Sequence, residues 1–266
     1  PGVDEASQLS FSNPMNINRG VTSPEQASSI LREYQKRKES TQAFAEWFSI
    51  EPPFPDGIFG DEKIIGGAYC NGGIMPLVGG ELARAYLENG FEAEGIETLQ
   101  RYHKLISKNN ETYLWYFPDG SESTVDTSTS PDAMPTDGWG SSSMLYGLVE
   151  GLAGVQDKTK QFESISLSPR WSAANITEAE VGVGYECSGA AVSYSYTETA
   201  NGIKLSINAK KSAANIQQLL PTGATVASIS NGNANLDFKE IQIEQSRYVA
   251  FEANIAQGAD LSITFR

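Results

Sequence analysis

The residues of this chain best suited to chemistry are carboxylates set among aromatic and amide side chains. Asp137 lies in Pro135-Thr136-Asp137-Gly138-Trp139-Gly140, Glu51 stands before Pro52-Pro53, and Asp56 falls in Phe54-Pro55-Asp56-Gly57. Glycoside hydrolysis generally uses two carboxyl groups flanking the scissile bond, about 6.5–9.5 Å apart when a water must fit between them. Loop carboxylates delivered from two helix ends can reach that separation, so Asp137, Glu51 and Asp56 are the candidate catalytic residues. Asp56, Asp119 and Asp137 each precede a glycine, so a turn-forming role is the alternative for each. A sugar also needs ring faces for its C–H surface and paired polar groups for its hydroxyls. Tyr69, Trp115, Tyr116 and Trp139 offer the first; Asn71, Glu51, Asp56, Asp119 and Asp137 offer the second, beside the bare backbone of Gly72 and Gly73. The cluster Tyr113-Leu114-Trp115-Tyr116-Phe117 reads equally well as core.

These residues sit on two irregular stretches that helices must position. Tyr69-Cys70-Asn71-Gly72-Gly73-Ile74-Met75-Pro76 runs straight into a helical pattern. Its glycines let backbone pass where a Cβ would clash, Pro76 suits the first helical turn, and the Asn71 amide can bond in two directions. This is a polar ligand site or a tight loop capping a helix. Before it, 51–68 reads as a long ordered loop rich in proline, glycine and aromatics, of a kind that is usually functional. A second polar loop covers 121–138, with Ser130-Pro131-Asp132 at its middle, and Trp139 leads into a helix over 141–153. Between the loops, 76–89 and 91–108 predict two helices joined at Asn89-Gly90 as an antiparallel hairpin. Upstream, Ser23-Pro24-Glu25-Gln26 is a strong helix start. Ile30, Leu31, Tyr34, then Phe44, Trp47 and Phe48 predict one amphipathic helix or two. Residues 1–22 read as extended or loop.

After about Gln156 the periodicity changes to two. Residues 165–167, 181–183, 191–196, 203–207, 241–243 and 261–265 alternate apolar and polar, and Asn201-Gly202 signals a hairpin. The expected fold is therefore α+β and multidomain. Helical hairpins fill 1–155, and an antiparallel β-sandwich fills 156–266.

Composition removes several classes of function. The 266 residues carry a net charge of −14 without a basic run, which argues against nucleic acid and anionic membrane as partners. No apolar run reaches the ~18–20 residues of a membrane-spanning helix. His103 is the single histidine, and Cys70 and Cys187 are far apart, so neither a metal site nor a histidine-based triad is expected, and no cofactor. Whether the two cysteines pair stays open. The opening Pro1-Gly2-Val3 reads as a processed or truncated start; a periplasmic or extracellular location is slightly favoured.

The Tyr69–Pro76 passage, the Leu77–Asn89 helix and Phe91-Glu92-Ala93-Glu94 together resemble the Y-x-N-G-G-x-W/M-P region of six-hairpin glycosidases. Asp137-Gly138-Trp139-Gly140-Ser141 leading to Glu150-Gly151-Leu152-Ala153-Gly154-Val155 is similar to the last toroid helix of that group. Phe162-Glu163-Ser164-Ile165-Ser166-Leu167-Ser168-Pro169 is similar to its exit into a C-terminal β-sandwich. The group includes glucoamylase-like, α-rhamnosidase-like and sugar-phosphorylase branches. The resemblance covers roughly residues 45–266 and implies the C-terminal part of an (α/α)6 toroid, with a carbohydrate substrate and the remaining N-terminal part as partner. It carries over Asn71 and the Gly72-Gly73 backbone as substrate-side groups and Trp139 as a wall. The family's W-E-Y step reads Leu114-Trp115-Tyr116 here, with Trp where the Glu is expected, so either a carboxylate such as Asp137, Glu122 or Asp119 takes over as base or the mechanism differs. A non-catalytic carbohydrate-binding protein, a disaccharide phosphorylase, and a lyase or epimerase are the competing readings; the single histidine counts against the last.

Overall fold

The computed structural model describes residues 2–128, 134–209 and 213–266. Ser130-Pro131-Asp132 of the second polar loop lies outside the described residues. The chain forms two compact units. The first comprises Pro1–Asn89 and Glu94–Leu148, the second Gly90–Ala93 and Val149–Arg266.

The first unit is helical. It contains β1 (Leu9–Ser10), α1 (Ser12–Asn18), α2 (Pro24–Thr41), β2 (Ile50–Glu51), α3 (Pro76–Glu88), α4 (Glu92–Asn109, in this unit from Glu94) and α5 (Trp139–Tyr146). Ser23 caps α2 as the sequence predicted, and the structure adds a reciprocal box with Gln26. Two expectations fail. Residues 1–22 are not all loop, because α1 forms there. Its end is tied down by Glu81, whose carboxylate accepts from Asn18 at 2.7 Å and pairs with Arg19 at 3.0 Å, contacts that local propensity cannot foresee. Nor does a helix reach Phe44, Trp47 and Phe48. Gln42 turns left-handed (φ 54) and ends α2, leaving Trp47 and Phe48 buried on irregular backbone.

The centre of this unit is α3, where eleven of thirteen residues are buried, polar Glu81 and Arg84 among them. Only the absence of side chains allows such close packing. A Cβ on Gly79 would meet the Trp47 ring at 2.7 Å, and one on Gly80 would lie 2.1 Å from the Ser143 carbonyl carbon on α5. Gly95 brings α4 against Leu87 and Ala83 of α3 in the same way. The predicted last helix is shorter than expected: α-helical backbone ends at Tyr146, and Gly147–Leu152 forms a π-helical turn.

The second unit is a β-sandwich. A six-stranded sheet has the order β10-β9-β13-β7-β6-β5 and a five-stranded sheet the order β11-β12-β8-β4-β3. These are β3 (Val155–Asp157), β4 (Ser164–Leu167), β5 (Glu178–Tyr185), β6 (Ala190–Thr199), β7 (Gly202–Ala209), β8 (Ala213–Leu219), β9 (Val226–Asn231), β10 (Ala234–Leu236), β11 (Lys239–Ile243), β12 (Ser246–Asn254) and β13 (Ala259–Phe265). Pairing is antiparallel throughout except β4 with β8, which is parallel. Alternation is cleanest on β7, where Ile203, Leu205 and Ile207 are buried and Lys204, Ser206 and Asn208 face out. The sequence missed β3, β8, β9, β10 and β12. On β12 the alternation breaks, because Tyr248 and Val249 are both fully buried. On β8 it is masked by Gln217-Gln218, of which Gln218 is buried.

Candidate functional site

The two predicted loops converge within the helical unit. Lys63 Nζ donates to the Ser128 carbonyl at 2.8 Å, and the Cα of Gly67 lies under Pro118, so that a Cβ there would come within 3.1 Å of the ring. Their inner ends are joined by isolated ladder contacts: Phe48 pairs with Ile74, Ile74 with Tyr116, and Tyr116 with Glu122.

The Tyr69–Pro76 motif is a folded knot at the base of this region. Tyr69 is left-handed (φ 42), and its carbonyl accepts from Ser49 Oγ at 2.7 Å and the Gly73 amide at 3.1 Å. Gly73 is required there, because a Cβ would sit 2.5 Å from that carbonyl oxygen. Gly72 adopts φ +100 beside Gly67 and Pro53. Asn71 is completely buried. Its Oδ1 accepts from the Phe54 amide at 2.7 Å and its Nδ2 donates to the Phe54 carbonyl at 3.0 Å. Both faces of the amide are thus spent on the neighbouring loop. Trp115 is buried too, edge-on to Phe117 with centroids 4.6 Å apart, whereas Trp139 is 67% exposed.

The carboxylates fall in two places. Glu51 and Asp56 belong to the Gly72 end of the ladder: Pro53 touches Gly72, and Asp56 Oδ1 accepts from the Gly66 amide at 2.8 Å. Asp119 is exposed near that end, with Oδ1 accepting from the Ser121 amide at 2.9 Å; its bonds to Ser121 hold its carboxyl below the usual range. Asp137 belongs to the Pro76 end. Thr136 pairs with Tyr113, and a Cβ on Gly140 would lie 2.6 Å from Pro76 Cβ. The Asp137 amide donates to the Thr112 carbonyl at 3.1 Å.

Around Asp137 the environment is distinctive. Oδ1 accepts from the Trp139 amide at 2.6 Å at the mouth of α5, while Oδ2 is buried without a hydrogen-bond partner among the described residues. Tyr102 of α4 donates to Thr112 Oγ1 at 2.7 Å; burial and the Asp137 charge push its phenol up, opposed by its bonds to Thr112 and Ser141. The neighbouring Tyr116 hydroxyl is likewise buried and unpartnered, and burial together with Tyr102 and Glu122 raises its ionisation. Two bare buried oxygens flanking one tyrosine are uncommon in native proteins. They offer one acceptor and one donor to a hydroxylic ligand or to water.

Burial raises the Glu51 carboxyl, against the Arg37 charge. Its folded value lies above the unfolded one, so the ionised form costs stability at neutral pH, and that cost vanishes as pH falls through the folded value. Glu51→Gln is expected to raise Tm at pH 7 by about 1–2 °C, since Glu51 is partly solvated, and to leave Tm unchanged near pH 4. Thermal melts at the two pH values test this; an equal shift at both would show that ionisation is not the cause.

No family model matches the chain, and no curated protein matches it. Solved structures do. An α-L-rhamnosidase from Dictyoglumus thermophilum aligns over 79% of this chain and 22% of its own, with 10% identity and a TM-score of 0.47. The Streptomyces avermitilis α-L-rhamnosidase complexed with L-rhamnose aligns over 96% of this chain and 21% of its own, with 11% identity and a TM-score of 0.52. The fold is similar to part of the Streptomyces avermitilis structure. This chain spans about a fifth of the length of either structure. Likeness at this identity carries the fold and no residue roles. Tyr102 is the member of the candidate site that sequence reading missed, because it sits on the apolar stripe of α4; Tyr116 is named there as a ring face, and a buried hydroxyl gives no sign in sequence that it lacks a partner. Cys70 and Cys187 are free thiols, and His103 is exposed. Among the described residues no helix is long and apolar enough to cross a membrane.

Proposed function

We propose that this chain belongs to a glycoside hydrolase-like protein acting on an oligosaccharide or glycan. Its helical part, through about residue 155, is then one arc of an α/α toroid, and the β-sandwich is an accessory domain. The observation that carries the reading is the group at the mouth of α5: the bare Asp137 oxygen, the unpartnered Tyr116 hydroxyl and the exposed Trp139 ring. An exposed indole suits the C–H face of a sugar, and a carboxylate oxygen held without a partner is free to accept a hydroxyl or activate water. Leu145 and Leu148, exposed along the same segment, suit further helices supplied by the same protein.

Asp137→Asn is expected to lower kcat on a panel of aryl glycosides by about 10²-fold or more, as loss of a general acid or base does, with KM little changed. Full turnover of every accepted glycoside by that variant would remove Asp137 as acid or base. A second reading, carbohydrate binding without cleavage, draws on the exposed Trp139 ring. It predicts saturable sugar binding that Trp139→Ala abolishes, with no turnover by the parent chain.

A further inference from the structure

A hollow of about 590 Å3 opens on the five-stranded sheet of the β-sandwich. Its origin is the side-chain alternation of that sheet. One face carries Leu167, Ile216 and Phe251, paired across strands and buried. The other face carries the row Ser166–Asn215–Glu252 and the row Gln217–Ala250–Lys239, aligned by the strand register. Ala250 has no side chain beyond Cβ, so the middle of the second row sinks below its long neighbours and forms a floor. Asp237 and Phe238, in the connection between β10 and β11, make one wall.

Asn215, Gln217, Lys239 and Glu252 make no side-chain hydrogen bond or ion pair with any described residue. Two amides, each both donor and acceptor, stand beside two carboxylates that accept and one ammonium that donates, with a single aromatic ring at the side. The formal charge of Asp237, Glu252 and Lys239 together is small, which disfavours a polyanion. A polar, unpaired lining with one ring wall fits a neutral polyhydroxylated ligand: ring face for the C–H surface, amides and carboxylates for vicinal hydroxyls. The volume falls within the ~300–1,000 Å3 of ordinary ligand sites. The hollow lies on a sheet face and not along an edge, so strand addition by a peptide has no row of unpaired backbone to use here.

We propose that this face of the β-sandwich binds a neutral oligosaccharide, independently of whatever the helical unit does. The test is amide NMR on the full chain titrated separately with cellotetraose, xylotetraose, maltotetraose and mannotetraose. At least one is expected to give saturable shifts confined to residues 166, 215–217, 237–239 and 250–252. The variant Asn215→Ala/Gln217→Ala is expected to weaken that binding about tenfold or more, through loss of direct hydrogen bonds. Its Tm should stay at the parental value, because neither side chain bonds to any described residue. If none of the four sugars moves these amides at ~10 mM, where even a millimolar complex is populated, or if the double variant binds unchanged, the assignment is overturned. Neither result depends on glycoside turnover, so the reading of the helical unit stands or falls separately.

Discussion

Gly80→Ala is expected to destabilise the helical unit by about 3 kcal/mol, a fall in Tm on the order of 10 °C. One methyl group has this effect because of what it meets. The added Cβ would lie 2.1 Å from the carbonyl carbon and 2.2 Å from the carbonyl oxygen of Ser143, which are backbone atoms of α5 and cannot swing aside. Relief requires α3 and α5 to separate by more than an ångström, in a core where α3 is buried on nearly every side. Moving α5 also breaks the bond from Ser143 Oγ to the Leu77 carbonyl, 2.7 Å, and loosens Met144 against Gly79. Better intrinsic helix propensity of alanine, about 1 kcal/mol, opposes the clash and does not offset it. Gly138→Ala is the control, since a Cβ there meets nothing within 4 Å and its φ of −92 suits any residue. Circular dichroism melts together with amide exchange in α3 and α5 test the prediction. A fall in Tm below ~2 °C for Gly80→Ala would mean that the helices are not held at this distance.

Arg170→Met is expected to cost the β-sandwich about 3–4 kcal/mol, through loss of a buried charge rather than of packing. Arg170, Tyr248 and Glu92 are 3%, 0% and 6% exposed. The guanidinium donates to the carbonyls of Gly151 and Ser168, the latter at 3.0 Å, and to the Tyr248 hydroxyl at 3.3 Å. The Tyr248 hydroxyl in turn donates to Glu92, whose other oxygen accepts from Ser246 Oγ at 2.5 Å. The result is a cation and an anion bridged by one phenol, all out of water. Burial keeps that phenol protonated, so it serves as a relay and not as a charge. Methionine fills much of the space but leaves two carbonyls without a donor and Glu92 without its counter-charge. Glu92→Gln in the same chain removes the orphaned charge. The double variant is therefore expected to lose at least about 1 kcal/mol less than the sum of the two single variants, measured by urea unfolding. Strict additivity would show that the three residues do not act as one network.

The legible parts of this fold are those that short-range physics controls. Ser23, Pro24 and Gln26 set the start of α2, because a cap is a contact between residues three apart. Pro76 and the turn at Asn89-Gly90 mark the ends of α3, and period-two alternation marks β6, β7 and β13. The β6–β7 hairpin appears one residue earlier than its signal. Its two-residue turn is Ala200-Asn201, and Gly202 opens β7, where a Cβ would lie 2.1 Å from the Ile263 carbonyl. That glycine answers to β13, far along the chain, and not to its own turn.

What sequence alone determined is the grammar of the chain: helices first, strands after, two glycine-bearing loops carrying carboxylates among aromatic rings. Tertiary structure alone decided the partners. It turned Asn71 inward to Phe54 and left one Asp137 oxygen bare beside Tyr102 and Tyr116. The reason is physical. Propensity and periodicity report on neighbours within a turn of helix or a pair of strand residues, whereas the direction in which a loop leaves a ladder, and whether a buried oxygen finds a donor, depend on chain segments scores of residues away.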